Sequence, residues 1–175
     1  MSLPRGRSSV WRFGQGVLLL VCALGGTLST AVSACPHETA GETENTPFAA
    51  GCMVRIGDRL LLVRHRFTGK LGIPAGYSSD RESSRCTAYR ETLEETGLEV
   101  TVHDLLMKFH NGFYLYRCHP AEDFRPSDVI DVPESGLYEI NAVLLIDPES
   151  VTRNEWRFPE QASEILSLFR LIGSD

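Results

Sequence analysis

The stretch from Ser83 to Gly97 constrains the fold most. It reads SSRCTAYRETLEETG, with serines at its start, a glycine at its end, and neither Pro nor Gly between them. That spacing predicts a helix over 83–96, introduced by Ser79-x-x-Glu82 as a capping box and stopped by Gly97. The segments around it favour strands. Phe48 to Ile56 and Leu60 to His65 are apolar runs on either side of Gly57-Asp58-Arg59, a hairpin signal. Glu99 to His110 alternates, Asn111-Gly112 turns the chain, and Phe113 to Cys118 returns. Glu139 to Ile146 is a further strand, and Glu160 to Ile172 places Ile, Leu and Phe at helical spacing. His119 to Gly136 contains Pro120, Pro126 and Pro133 and reads as loop. Helices set among strands in this order predict one α/β domain over 48–175, a mixed β-sheet flanked by helices, with no internal repeat.

The helix also carries the chemistry. At 100° per residue, Glu91, Glu94 and Glu95 share an arc of about 100°, while Cys86, Tyr89 and Leu93 fall on the other side. One face is expected to be core and the other a carboxylate cluster. Carboxylates at i, i+3 and i+4 repel one another by a few tenths of a kcal/mol per pair. A solvated acidic face tolerates that repulsion, and a hard divalent cation removes it. Mg²⁺ takes oxygen ligands, keeps several waters, and suits a few carboxylates together with substrate phosphates.

The surrounding residues favour the metal. From Gly76 the chain reads G-x5-E-x7-R-E-x-x-E-E-x-G-L, with Gly76, Glu82, Arg90, Glu91, Glu94, Glu95, Gly97 and Leu98 in register. This resembles the signature of the Nudix hydrolase family, GX5EX7REUXEEXGU, and chance would produce its seven fixed identities on the order of 10⁻⁹ times per starting position. The order of elements from Phe48 onward is also similar to that family's α/β/α sandwich. Thr92 stands where the pattern has an aliphatic residue, and Leu71-Gly72-Ile73-Pro74-Ala75-Gly76 departs from the family's frequent W-x-L-P-G-G at its Trp and first Gly. The resemblance implies hydrolysis of a diphosphate linked to another group, with Mg²⁺ or Mn²⁺. It implies Glu91, Glu94 and Glu95 as the metal ligands, one of them also activating water. It further implies that Arg90 pairs with Glu82 to orient the helix and that Gly76 brings backbone close to metal or phosphate. A Nudix-fold binding or regulatory module without catalysis is the alternative, although such modules commonly lose these carboxylates.

Other polar residues carry weaker signals. Arg64, His65, Arg66 and Lys70 form a basic group that could bind the distal part of an anionic substrate, or be a solvated loop run. Tyr114 and Tyr116 lie where some diadenosine-polyphosphate members place a Tyr, but aromatic residues in strands are usually core. Glu134 and Glu139 are extra carboxylates outside the box. His103, His110 and His119 have no ligand spacing.

The first 34 residues differ from the rest. They hold Arg5, Arg7 and Arg12 and no acid, within a chain of 17 basic and 23 acidic residues and net charge −6. A basic start, the apolar run from Val17 to Leu24, and small residues to Ala34 predict a secretory signal peptide at 1–34, because the run is about half the ~20 residues that span a bilayer. Val32-Ser33-Ala34-Cys35 resembles a lipobox, which implies lipidation of Cys35 and peripheral membrane attachment in a bacterial periplasm or cell envelope. Plain cleavage after Ala34, giving a soluble secreted protein, is the other outcome. Residues 35–47 read as a tether. Export leaves Cys35, Cys52, Cys86 and Cys118 in an oxidising compartment, where Cys52 and Cys118, both in strands, are the favoured pair and free thiols the alternative. The acidic balance and the lack of a basic stripe argue against a nucleic-acid partner. The expected partner is a small-molecule or lipid-linked diphosphate substrate.

Overall fold

The computed structural model describes residues 35–36, 48–121 and 129–173. The expected signal peptide and all but the first two residues of the tether lie outside them. The strands are β1 (Ala49–Ile56), β2 (Arg59–His65), β3 (Leu71–Gly72), β4 (Ala75–Tyr77), β5 (Val100–Lys108), β6 (Phe113–Pro120), β7 (Val129–Ile130) and β8 (Ile140–Ile146). The helices are α1 (Ser84–Thr96) and α2 (Ala162–Leu171). Strand order is β5-β6-β1-β2-β8-β7, with β4 added to β1 and β3 to β2. The β1–β6 pair is parallel and the others are antiparallel, so the sheet is mixed as predicted.

Period-2 alternation splits the core into two. Ala50, Cys52 and Val54 of β1, Leu61 and Val63 of β2, and Tyr114, Tyr116 and Cys118 of β6 join Ala88 of α1 in one cluster. Met53, Leu60, Leu62 and Leu115 face the other way and pack with Ala162, Ile165 and Phe169 of α2. One helix per sheet face is the α/β/α sandwich. Tyr114 and Tyr116 are therefore core residues, and Tyr116 Oη lies 2.6 Å from Ser84 Oγ.

The helix boundaries show where local signals were redirected. Ser83, not Ser79, caps α1, its Oγ accepting from Cys86 N–H at 3.3 Å. The Ser79–Glu82 turn does form, with Ser79 N–H donating to Glu82 Oε2 at 2.9 Å, but it stands before the helix as a separate turn. Gly97 ends α1 in the left-handed conformation, φ 71°, and its N–H donates to Leu93 O at 2.8 Å. Strand β7 lies within the span expected to be loop, where it pairs with β8. Strands β3 and β4 were not foreseen, since two or three residues are too few to show a period.

Both disulfides lie on the α1 side. Cys52 and Cys118 join β1 to β6 as expected, and Cys35 joins Cys86 in the first turn of α1. The second bridge ties residue 35, the first of the expected tether, to the helix.

Candidate active site

Arg90 is the hub of the box. Its Nε and Nη2 donate to the two carboxylate oxygens of Glu82, each at 2.9 Å, and Nη2 also donates to Tyr77 O at 2.9 Å. Its Nη1 donates to Glu91 Oε1 at 2.7 Å and Glu94 Oε2 at 3.1 Å. Such a two-pronged pair fixes geometry as well as charge. Burial alone raises the Glu82 carboxyl, but its bonds to Arg90, Ser79 N–H and the Thr87 hydroxyl outweigh burial and hold it below the ordinary carboxylate range. The bond to Glu82, ahead of the other contacts, holds Arg90 in its charged form. The loop carrying Tyr77 to Glu82 is thereby clamped to the middle of α1.

The three helix carboxylates occupy unlike environments, which corrects the simple division into a core face and an acidic face. Glu94 is half exposed, Glu91 mostly covered, and Glu95 only 4% exposed. Tyr89 and Leu93, expected in the core, are only half-buried, and Thr87, Thr92 and Thr96 are buried instead. The β3–β4 segment causes this by folding over the helix, where Ala75 N–H donates to Glu95 Oε2 at 2.9 Å. Thr92, the departure from the family pattern, is accommodated because its Oγ1 donates to Ala88 O at 2.7 Å.

Burial sets the electrostatics. It pushes the Glu95 carboxyl up to about 8, against the Ala75 bond and with help from the charges of Glu91 and Glu139. It also raises Glu91, against the pull of Arg90. Gly76 is required by close approach, since a Cβ added there would overlap the Glu91 carboxylate. The Glu134–Gly136 turn packs on the end of α1. A Cβ at Gly136 would lie 2.8 Å from Glu94 O, and Ser135 Oγ donates to that oxygen at 2.8 Å.

Glu95 Oε1 is buried and has no hydrogen-bond partner. A buried carboxylate oxygen left orphaned beside a second desolvated carboxylate fits a hard cation. Among the described residues no three such side chains converge as a finished cage, because Arg90 engages Glu91 and Glu94. The donor set is right for Mg²⁺ or Mn²⁺, and Glu94, on the exposed side, is free to turn from Arg90 to a metal.

A cavity of about 560 Å³ opens beside this cluster. Glu91, Glu139 and Gly76 line it together with Phe48, Phe113, Trp156 and Phe158. The three cations expected at the substrate are not in its wall. Arg64 Nη1 donates to Gly69 O at 3.1 Å, Lys70 Nζ to Asn154 O, and Arg66 to Leu137 O at 2.8 Å and Ile140 O at 3.1 Å. His65 and Arg157 line the cavity instead. Of the two extra carboxylates, Glu139 reaches the cavity and Glu134 stays on the exposed turn.

The NUDIX domain family model matches residues 45–166, most of the chain and all of the site. The chain belongs to the Nudix family. A NUDIX hydrolase from Nitrosomonas europaea shares 20% identity with it at TM-score 0.57, over 73% of this chain and 90% of that one. An ADP-ribose pyrophosphatase from Streptococcus suis shares 15% at TM-score 0.56, over 74% and 93%. A C. elegans Ap4A hydrolase shares 18% at TM-score 0.54, over 71% and 97%. At these identities the structures establish a common fold. None of the curated proteins compared with the chain matches it.

Proposed function

We propose that this Nudix protein is a metal-dependent pyrophosphohydrolase that cleaves the diphosphate linkage of a nucleoside-diphosphate-X compound or a related diphosphate, lipid-linked ones included. The observation that carries the reading is the orphaned Oε1 of buried Glu95, whose neighbour on the helix face, Glu91, lines a cavity large enough for a small molecule. Neighbours named for ADP-ribose and for Ap4A support that substrate class.

Glu91, Glu94 and Glu95 would hold the metal. When bound, it neutralises diphosphate charge and lowers the pKa of a coordinated water. The chain's own residues prepare that site. Glu82 and Arg90 lock the loop to α1 so that Gly76 lies flat against Glu91, and Ala75 N–H fixes one oxygen of Glu95, leaving the other available. The apolar wall from Phe48, Phe113 and Phe158 excludes water around the bound group and suits a flat or aliphatic X.

The reading extends to export. Two disulfides suit an oxidising compartment, and the engaged sulfur of Cys35 favours the soluble secreted form over the anchored one.

The test is release of phosphate or monophosphate from a panel of nucleotide and lipid diphosphates, with Mg²⁺, with Mn²⁺ and with chelator. Turnover should require metal, and Glu94→Gln and Glu95→Gln should each lower kcat by about 10³-fold or more with the fold intact. Metal-dependent turnover unchanged in both variants would overturn the assignment. A binding module, the reading favoured by Arg90 occupying Glu91 and Glu94, would give saturable binding without product.

A further inference from the structure

The cavity has a second wall that the carboxylate chemistry does not use. It is built from β3 and the segment 153–158, joined by a bridge between Leu71 and Trp156 and by the Arg157 N–H donating to Leu71 O at 2.7 Å. Trp156 and Arg157 both line the cavity here. Trp156 is 2% exposed, and its Nε1 has no partner. An indole N–H only donates, so this group lacks an acceptor. The Arg157 guanidinium lies against the buried ring of His65, Nη1 being 3.0 Å from Nδ1 and 2.9 Å from Nε2, and over the Phe158 ring at 5.3 Å. Among the described residues no Asp or Glu pairs with it.

His65 contributes no competing charge. Burial first, and the Arg157 charge second, lower it to about 4, so its ring is neutral at physiological pH. Arg157 is thus a cation seated on a neutral support in the wall of a cavity that also holds Glu91 and Glu139. A diphosphate has more anionic oxygens than a metal at one set of carboxylates can cover. The remainder need donors of this kind.

We propose that Arg157, positioned by His65 and next in the chain to the buried Trp156, forms an anion subsite for those phosphoryl oxygens of the substrate that a carboxylate-bound metal leaves uncovered. The inference rests on the cavity being a diphosphate site, and it assigns the cation of that site to a residue outside the Nudix signature. Arg64, Arg66 and Lys70 do not line the cavity, and each donates to a backbone carbonyl elsewhere.

The chain has two tryptophans, so Trp11→Phe makes Trp156 the sole indole and its fluorescence a direct reporter of the subsite. The full-length Trp11→Phe chain is titrated with imidodiphosphate, which cannot be hydrolysed at its bridge, at fixed Mg²⁺. A saturable Trp156 response is expected. Arg157→Ala should weaken it at least tenfold, Arg157→Lys should recover part of the loss by keeping charge without the fork, and Arg64→Ala should change it less than twofold. On a hydrolysable diphosphate Arg157→Ala should raise KM more than it lowers kcat. His65→Phe, which keeps a ring but no nitrogen, should raise KM at unchanged melting temperature. Equal affinity in Arg157→Ala, Arg157→Lys and parent, or a parent that turns over diphosphates with no Trp156 response, overturns the subsite. A parent that binds imidodiphosphate through Arg157 but cleaves no diphosphate overturns the hydrolase reading and leaves the subsite standing.

Discussion

The two faces of the sheet are built from different materials. The α2 face is ordinary hydrophobic core, with Met53, Leu60, Leu62, Leu115, Ile165 and Phe169 packed without a cysteine. The α1 face buries Thr87, Thr92, Thr96 and Glu95 alongside its apolar residues and carries both disulfides. A helix that must present carboxylates cannot also present a wide apolar stripe. Covalent links and the Arg90–Glu82 clamp hold α1 where hydrophobic area is short.

That contrast can be broken by experiment. Phe169→Ala should cost ~3–5 kcal/mol of stability, measured by denaturant unfolding, with kcat nearly unchanged below the transition. Loss of activity at intact stability would show that the faces are coupled. Removing either bridge, by Cys35→Ser with Cys86→Ser or by Cys52→Ser with Cys118→Ser, should cost ~2–4 kcal/mol, and reductant should lower the parent's melting temperature but not that of a variant lacking both. Gly76→Ala should do the reverse of Phe169→Ala. The added methyl meets the flexible end of Glu91, which can swing away, so melting should shift little while kcat falls about 100-fold.

A fourth prediction concerns pH. Glu95 has a folded value of about 8 against an ordinary 4.5, so between these the folded chain holds a proton that the unfolded chain has released. Stability of the metal-free protein must therefore fall as pH rises through that window. His65, lowered from 6.5 to about 4, acts oppositely, its destabilising effect growing as pH falls below 6.5. From pH 6.5 to 8 Glu95 acts largely alone. Unfolding measurements in chelator should show a loss of up to ~2 kcal/mol over that range, absent in Glu95→Gln. The smallest effect expected is from Thr92→Val, within ~1 kcal/mol, because the hydroxyl it removes bonds only the helix's own Ala88 O.

Much of this was legible in the chain. The hairpin of β1 and β2, the α1 helix with its Gly97 stop, and the β5–β6 turn at Asn111-Gly112 rest on neighbours a few residues apart, and such signals survive folding. The capping of α1 was misplaced by four residues because Glu82 is drawn off by Arg90, a side chain eight positions on. The burial of Glu95 was missed because a helical wheel records angle around one axis and not the segment that folds across it, here Pro74 to Gly76. The cavity cation was missed for a similar reason. Arg157 stands in no motif, whereas Arg64, Arg66 and Lys70 cluster in sequence and look like a site until their carbonyl partners are seen.

The amino-acid sequence alone determined the family, the carboxylates and the clamp, since a repeating chemical task leaves its residues at fixed helical spacing. Tertiary structure decided which carboxylate is desolvated, which cation faces the cavity, and that Cys35 is bonded to Cys86. Each of those depends on groups distant along the chain meeting in space, Cys86 being 51 residues from Cys35 and Arg157 being 92 from His65. Burial and charge act through distance in space, and local sequence does not record it.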